Sequence, residues 1–164
     1  MNVKEMVNAV DIDATDLRIL AQLQTDASLS NLDLAAATHT SAATCLRRVK
    51  RLVAAGVIER QVAILSPQRI GAGLTAIAEV SLERQGAELL AEFEERAVAQ
   101  PEVQQCYRVS PGPDLVLVLQ VADIAQYHAL VQRLFTQDAN VRNVKTFFSV
   151  HRAKFDTSVP LPLR

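Results

Sequence analysis

Residues 41–62 read SAATCLRRVKRLVAAGVIERQV, and the reading of this stretch decides the fold. Apolar side chains at Ala42, Cys45, Leu46, Val49, Leu52 and Val53 recur at helical spacing. Ser41 stands at an N-cap position and Gly56 at a natural stop, so the spacing predicts a helix running to about Ala55. Its outer face carries Thr44, Arg47, Arg48, Lys50 and Arg51. With Arg60 set against Glu59, the window holds five basic residues and one acid, a local charge of +4. Residues 1–40 are the opposite: Lys4 and Arg18 face six acids, a local charge of −4. The net charge of −1 is therefore a cancellation. A solvated helix face explains such a charge run as well as a nucleic-acid contact does.

What precedes the stretch decides between the two. Asp13 caps an apolar series at Leu17, Ile19, Leu20 and Leu23, and Asp16 adds a second carboxylate to the first turn. Thr25-Asp26-Ala27 breaks the pattern. Ser30 caps a second short helix containing Leu32, Leu34, Ala35 and Ala36, with Asp33 at its third position. Thr38-His39-Thr40 is a short polar turn. Two short helices joined by a tight turn, with a third packed across them, make a helix-turn-helix. In that motif the last helix enters the DNA major groove with its N-terminal residues at the base edges. Motif and charge thus single out the same segment. Arg47, Arg48, Lys50 and Arg51 suit phosphate contact, which dominates such interfaces, and Ser41, Ala43 and Thr44 are candidates for base edges. Cys45 falls on the apolar side and reads as a small core residue. Val57-Ile58 opens an extended stretch that continues through Val62-Ala63-Ile64-Leu65.

Composition excludes several classes. A chain of 164 residues that is 49% hydrophobic and 21% charged supports a packed core, in one ordinary domain or two small ones. No run of 18 apolar residues occurs, so no transmembrane helix is expected. MNVKEMVNAVDIDATD lacks an apolar signal core, and a cytoplasmic protein is the expectation. Two cysteines, Cys45 and Cys106, make no disulfide framework. Aromatics at 4% with no Trp argue against a stacking platform for single strands.

The remainder reads as an α/β sandwich. Ser66-Pro67 and Gly71-Ala72-Gly73 mark a turn-rich connection, followed by a strand over Leu74–Leu82. Residues 86–99 form an amphipathic helix with Leu89, Leu90, Phe93 and Ala97 inward, ended by Pro101. Strands at Val103–Ser110 and Leu115–Val121 flank the turn Pro111-Gly112-Pro113, and the second, continuously apolar, suits a central position. A helix over 123–137 turns Ile124, Tyr127, Leu130, Val131, Leu134 and Phe135 inward, and a last strand runs from Val141 to about Ala153. The order β-α-β-β-α-β is the ferredoxin-like arrangement, with helices on one sheet face only. The open face needs a cover, and a second copy of the chain is the expected one. The fold class is thus α+β. Residues 1–60 form a winged-helix-like helix-turn-helix domain, 61–73 a linker strand and hinge, 74–156 the ferredoxin-like domain and 157–164 a tail.

Three motifs together resemble the Lrp/AsnC family of transcription regulators: IDATDLRILAQLQTDASLSNLDLAA, CLRRVKRLVAAGVIER and EVQQCYRV. The resemblance spans about residues 12–162. It implies a DNA-binding domain and a domain that assembles and senses, with dimers that commonly associate into octamers. It also implies an amino-acid effector bound between dimers. The family loop Ser/Thr-Gly-x-x-Asp corresponds to Ser110-Pro111-Gly112-Pro113-Asp114 here. Ser110 and Asp114 match, Gly112 allows close approach of the backbone, and Thr146 matches an effector-side threonine. Val144 stands where some members have a polar residue, and Pro111 and Pro113 remove two backbone donors. His39 occupies the turn position of a family glycine, which histidine tolerates better than most residues.

The expected function is sequence-specific binding of double-stranded DNA as a transcriptional regulator, modulated by an amino acid or related small metabolite. The protein is expected as a homodimer, with a higher oligomer such as the octamer above it. Beyond that effector no cofactor, no metal and no membrane partner is expected. An architectural, nucleoid-type protein without an effector is the alternative. An enzyme is not expected, since no nucleophile–base pair, phosphate loop or metal spacing is found.

Overall fold

The computed structural model describes residues 11–71 and 73–162. The first ten residues of the 1–60 span, Ala72 of the turn-rich connection and the last two residues of the tail lie outside the described residues. The chain divides into two compact units, one running to Ile64 and resuming at Lys154, the other spanning Leu65–Ala153.

The first unit holds α1 (Ala14–Thr25), α2 (Asn31–Ala37) and α3 (Ala42–Ala54). Each helix begins where a side chain meets its orphan N–H groups. Asp13 Oδ1 accepts from the N–H groups of Thr15 and Asp16 at 2.8 and 2.9 Å, and Asp16 Oδ2 accepts from the Asp13 N–H at 3.1 Å. This reciprocal pair is a capping box built from two aspartates. Ser30 and Ser41 cap α2 and α3 from their hydroxyls, each at 3.2 Å. Gly56, at φ +71°, ends α3, and the Val57 N–H returns to the Leu52 carbonyl at 2.9 Å. His39 is the non-glycine residue with positive φ among the described residues, at +54°, in the turn between α2 and α3. Ile19, Leu20, Leu34, Ala35, Cys45 and Leu52 form the buried centre of this unit.

Leu161 packs on that centre from the far end of the chain. The Gln24 side chain of α1 donates to the Val159 carbonyl at 3.0 Å and accepts from the Val159 N–H at 2.5 Å. One side-chain amide thus pairs with the backbone as a neighbouring strand would.

Two sequence expectations need correction in this unit. Leu46 and Val53 share the apolar period of α3, but they are 45% and 50% exposed. They sit at the margin of the apolar stripe, beyond the reach of α1 and α2. The extended stretch after Ile58 forms no linker strand among the described residues, because it has no neighbour to hydrogen-bond; it ends in a single 3₁₀ turn at Pro67–Ile70.

The second unit runs β1 (Leu74–Leu82), α4 (Ala87–Val98), β2 (Val103–Arg108), β3 (Leu115–Val121), α5 (Ile124–Val131) and β4 (Val141–Phe148). A single π turn, Gln132–Thr136, extends α5. The sheet order is β2-β3-β1-β4, all antiparallel, which is the ferredoxin-like arrangement. Ala76, Ala78, Val80 and Leu82 on β1 and Leu115, Leu117 and Leu119 on β3 meet Phe93, Ala97, Leu130, Leu134 and Phe135 from the helices. Three boundaries and one burial expectation shift. The 123–137 helix changes to π geometry after Val131, Ile124 is exposed at the helix start, β2 stops at Arg108 and β4 at Phe148. Past the last two ends one backbone bond each remains, from the Val109 N–H to the Asp114 carbonyl at 3.1 Å and from the Ser149 N–H to the Thr75 carbonyl at 2.9 Å, and regular pairing stops there.

Candidate nucleic-acid interface

The basic helix α3 divides into two kinds of cation. Arg48 Nη1 lies 2.7 Å from Asp13 Oδ2 and 3.0 Å from Asp16 Oδ1. Arg51 Nη2 lies 2.5 Å from Asp16 Oδ2, and its Nη1 donates to the Asp11 carbonyl at 3.0 Å. Asp16 is fully buried, so both of its oxygens are taken up by α3 and by the α1 cap. Arg47 and Lys50 are exposed and make no ion pair among the described residues. The geometry follows from spacing: 13 and 16 share one face of the start of α1, and 48 and 51 share one face of α3.

The sequence reading grouped all four cations as free for phosphate. In the structure Arg48 and Arg51 are ion-paired within the unit, whereas Arg47 and Lys50 are not. The partners that the charge pattern alone did not supply are Asp13 and Asp16, although their signal lies in the sequence. A −4 segment next to a +4 segment, with acids and arginines at matching three-residue spacing, is the signature of a charge-paired helix interface.

The Asp13 carboxyl, ordinarily near 3.8, is held down at about 2, first by the Asp16 N–H and then by the Arg48 guanidinium. The unfolded chain therefore takes up this proton before the folded one as pH falls. The stabilisation is complete above the ordinary value and disappears as pH drops from 3.8 towards 2. Asp13→Asn should flatten that part of the acid-denaturation profile. Superimposable slopes for the variant and the parent, followed by circular dichroism, would contradict it.

At the N-terminal end of α3, Ser41 and Ala43 are exposed. Thr44 is partly buried, and its hydroxyl accepts from the Ser41 hydroxyl at 2.9 Å. Cys45 is buried, as expected, and burial pushes its thiol up. Asn31 of α2 donates to the Ala42 carbonyl at 2.9 Å and fixes the start of α3.

The five effector candidates form two groups. Ser110, Gly112 and Asp114 belong to the β2–β3 loop, where Gly112 takes φ +131°. The Asp114 N–H donates to the Val80 carbonyl at 2.9 Å, and its Oδ2 accepts from the Leu82 N–H at 2.7 Å. Val144 and Thr146 lie on β4 opposite Val80 and Ala78. They therefore face the helix layer, and Thr146 Oγ1 accepts from the Tyr127 hydroxyl at 2.8 Å. β1 separates the two groups, about 10 Å across two strand spacings. Among the described residues no group of three or more metal-ligating side chains occurs, and no helix is long and apolar enough to cross a membrane.

A capped recognition helix on a three-helix unit, followed by a one-sided antiparallel sandwich, defines a two-unit DNA-binding protein. Residues 12–59 match the winged helix-turn-helix DNA-binding domain and residues 75–159 the Lrp/AsnC ligand binding domain. The glutamate uptake regulatory protein of Zymomonas mobilis is 35% identical over 92% of this chain and 92% of its own length. A Neisseria meningitidis transcriptional regulator solved with L-methionine superposes with a TM-score of 0.85 at 30% identity, over 92% of this chain and 97% of that one. An AsnC family regulator of Agrobacterium tumefaciens gives 0.85 at 33%, over 90% and 96%. The chain belongs to the Lrp/AsnC family of DNA-binding transcription regulators, and is not an enzyme.

Proposed function

We propose that this regulator binds duplex DNA through α3 with a division of labour. Arg47 and Lys50 contact phosphates, Ser41, Ala43 and Thr44 approach base edges, and Arg48 and Arg51 hold the helix on α1. One observation carries this: Asp13 and Asp16 neutralise Arg48 and Arg51 and leave Arg47 and Lys50 exposed. Each phosphate contact steepens the salt dependence of affinity by a slope of about 0.9. Arg47→Ala and Lys50→Ala should each flatten a titration of affinity against salt by that amount. Arg48→Ala should leave the slope unchanged while lowering the melting temperature. An equal loss of slope in Arg48→Ala would refute the division.

The sheet domain is proposed to pair with a second copy. Tyr107, Val116, Val118, Ile77 and Phe147 are neighbours across all four strands on the face away from the helices. Ile77, Phe147 and Tyr107 are 40–52% exposed, and covering such a band favours self-association into a homodimer and the higher oligomer the family forms. An amino acid or related metabolite is the proposed effector, supported by the L-methionine in the Neisseria structure. It would act by binding one assembly state better than another, at the loop of Ser110, Gly112 and Asp114 and at the Val144–Thr146 strand. As a regulator of transcription, the protein is proposed to act in the cytoplasm.

A further inference from the structure

We infer that Leu46 reads a thymine methyl group in the half-site bound by this chain. The inference rests on the binding mode proposed above. The outward surface of the N-terminal half of α3 is small enough to go through by chemistry. Ser41, Ala43, Leu46, Arg47 and Lys50 are its exposed members. Leu46 lies one helical turn beyond Ala43 and one turn before Lys50, with Arg47 beside it. With Arg47 and Lys50 on phosphates, the bases are left to other groups: adenine is read by Asn or Gln and the cytosine amino group by Asp or Glu. Residues 41–51 contain none of those four residue types. The Ser41 and Thr44 hydroxyls are engaged with each other and with the α3 cap, at 2.9 and 3.2 Å.

What remains for the two apolar groups is the C5-methyl of thymine. Leu46 is 45% exposed on a helix whose other leucine, Leu52, is fully buried. On a hydrated, cationic face an exposed leucine gains nothing. Against a thymine methyl in the major groove, both groups leave water.

The test uses the full chain and duplexes selected by it from a random pool. The enriched duplex is then rebuilt with deoxyuridine in place of thymidine, which removes the methyl alone. The parent protein should bind the uracil duplex about four-fold more weakly for each methyl contacted. Leu46→Ala should reduce that uracil penalty by about four-fold, the share of one methyl. Leu46→Gln should move the selected base from thymine to adenine. Because Leu46 is nearly half exposed, both variants should melt with the parent, which a thermal scan checks. A uracil penalty that is unchanged in Leu46→Ala, or is absent in the parent, overturns the inference and leaves the binding mode standing. A pool that shows no enrichment at all overturns the binding mode itself.

Discussion

Asp16→Ala is expected to destabilise the DNA-binding unit by about 3 kcal/mol. Few surface-to-surface ion pairs approach that value, because water screens both partners. Asp16 differs in being fully buried while meeting two guanidiniums and one backbone N–H. Its removal leaves the Asp13 N–H without its acceptor and Arg51 without a carboxylate, while Arg48 keeps only Asp13. Arg48 and Arg51 side chains are 22% and 43% exposed, so both rehydrate in part, and the effect stays at the low end of the range for a broken buried pair. Denaturant unfolding should show the loss as a lower midpoint with an unchanged slope. DNA affinity should fall in the same variant, because α3 loses its seat on α1. An unfolding free energy within about 0.5 kcal/mol of the parent would mean that the network is ornamental.

Phe93→Ala should cost the sheet domain about 3–5 kcal/mol. Phe93 is fully buried on α4, and its ring stacks on Phe135 with centroids 6.3 Å apart. Arg96 covers the ring from 5.7 Å while pairing with Asp138, which restrains it from folding into the space. The cavity therefore stays open and the loss approaches the full transfer-plus-cavity value. Hydrogen exchange should show β1 and β3 amides losing protection, and unchanged protection of those strands would rule the argument out.

Local chemistry made most of the fold legible. Asp13, Ser30 and Ser41 announce three helix starts and Gly56 one helix end, because a cap is a short-range hydrogen bond between residues three apart. The sandwich was legible in strand and helix order alone. Partners distant in sequence were not. Arg47 and Lys50 look like Arg48 and Arg51 until α1 is placed beside them. Leu46 fits the apolar period and is exposed because the stripe is wider than the surface available to cover it. Val62, Ile64 and Leu65 have strand-like composition but no strand to join among the described residues. Of the proposed contact surface, the helix was readable and the assignment of its charges was not.

The strand-like clamp of Gln24 on Val159 has a consequence for how the protein is made. The unit that meets DNA is written in two pieces, with the whole sheet domain between them. Val159 is synthesised 135 residues after Gln24, and at roughly 5–20 residues per second the interval is about 7–27 s. The three helices emerge first and wait, complete in sequence but unclasped. Their final contact is made only after the sensing domain has been translated.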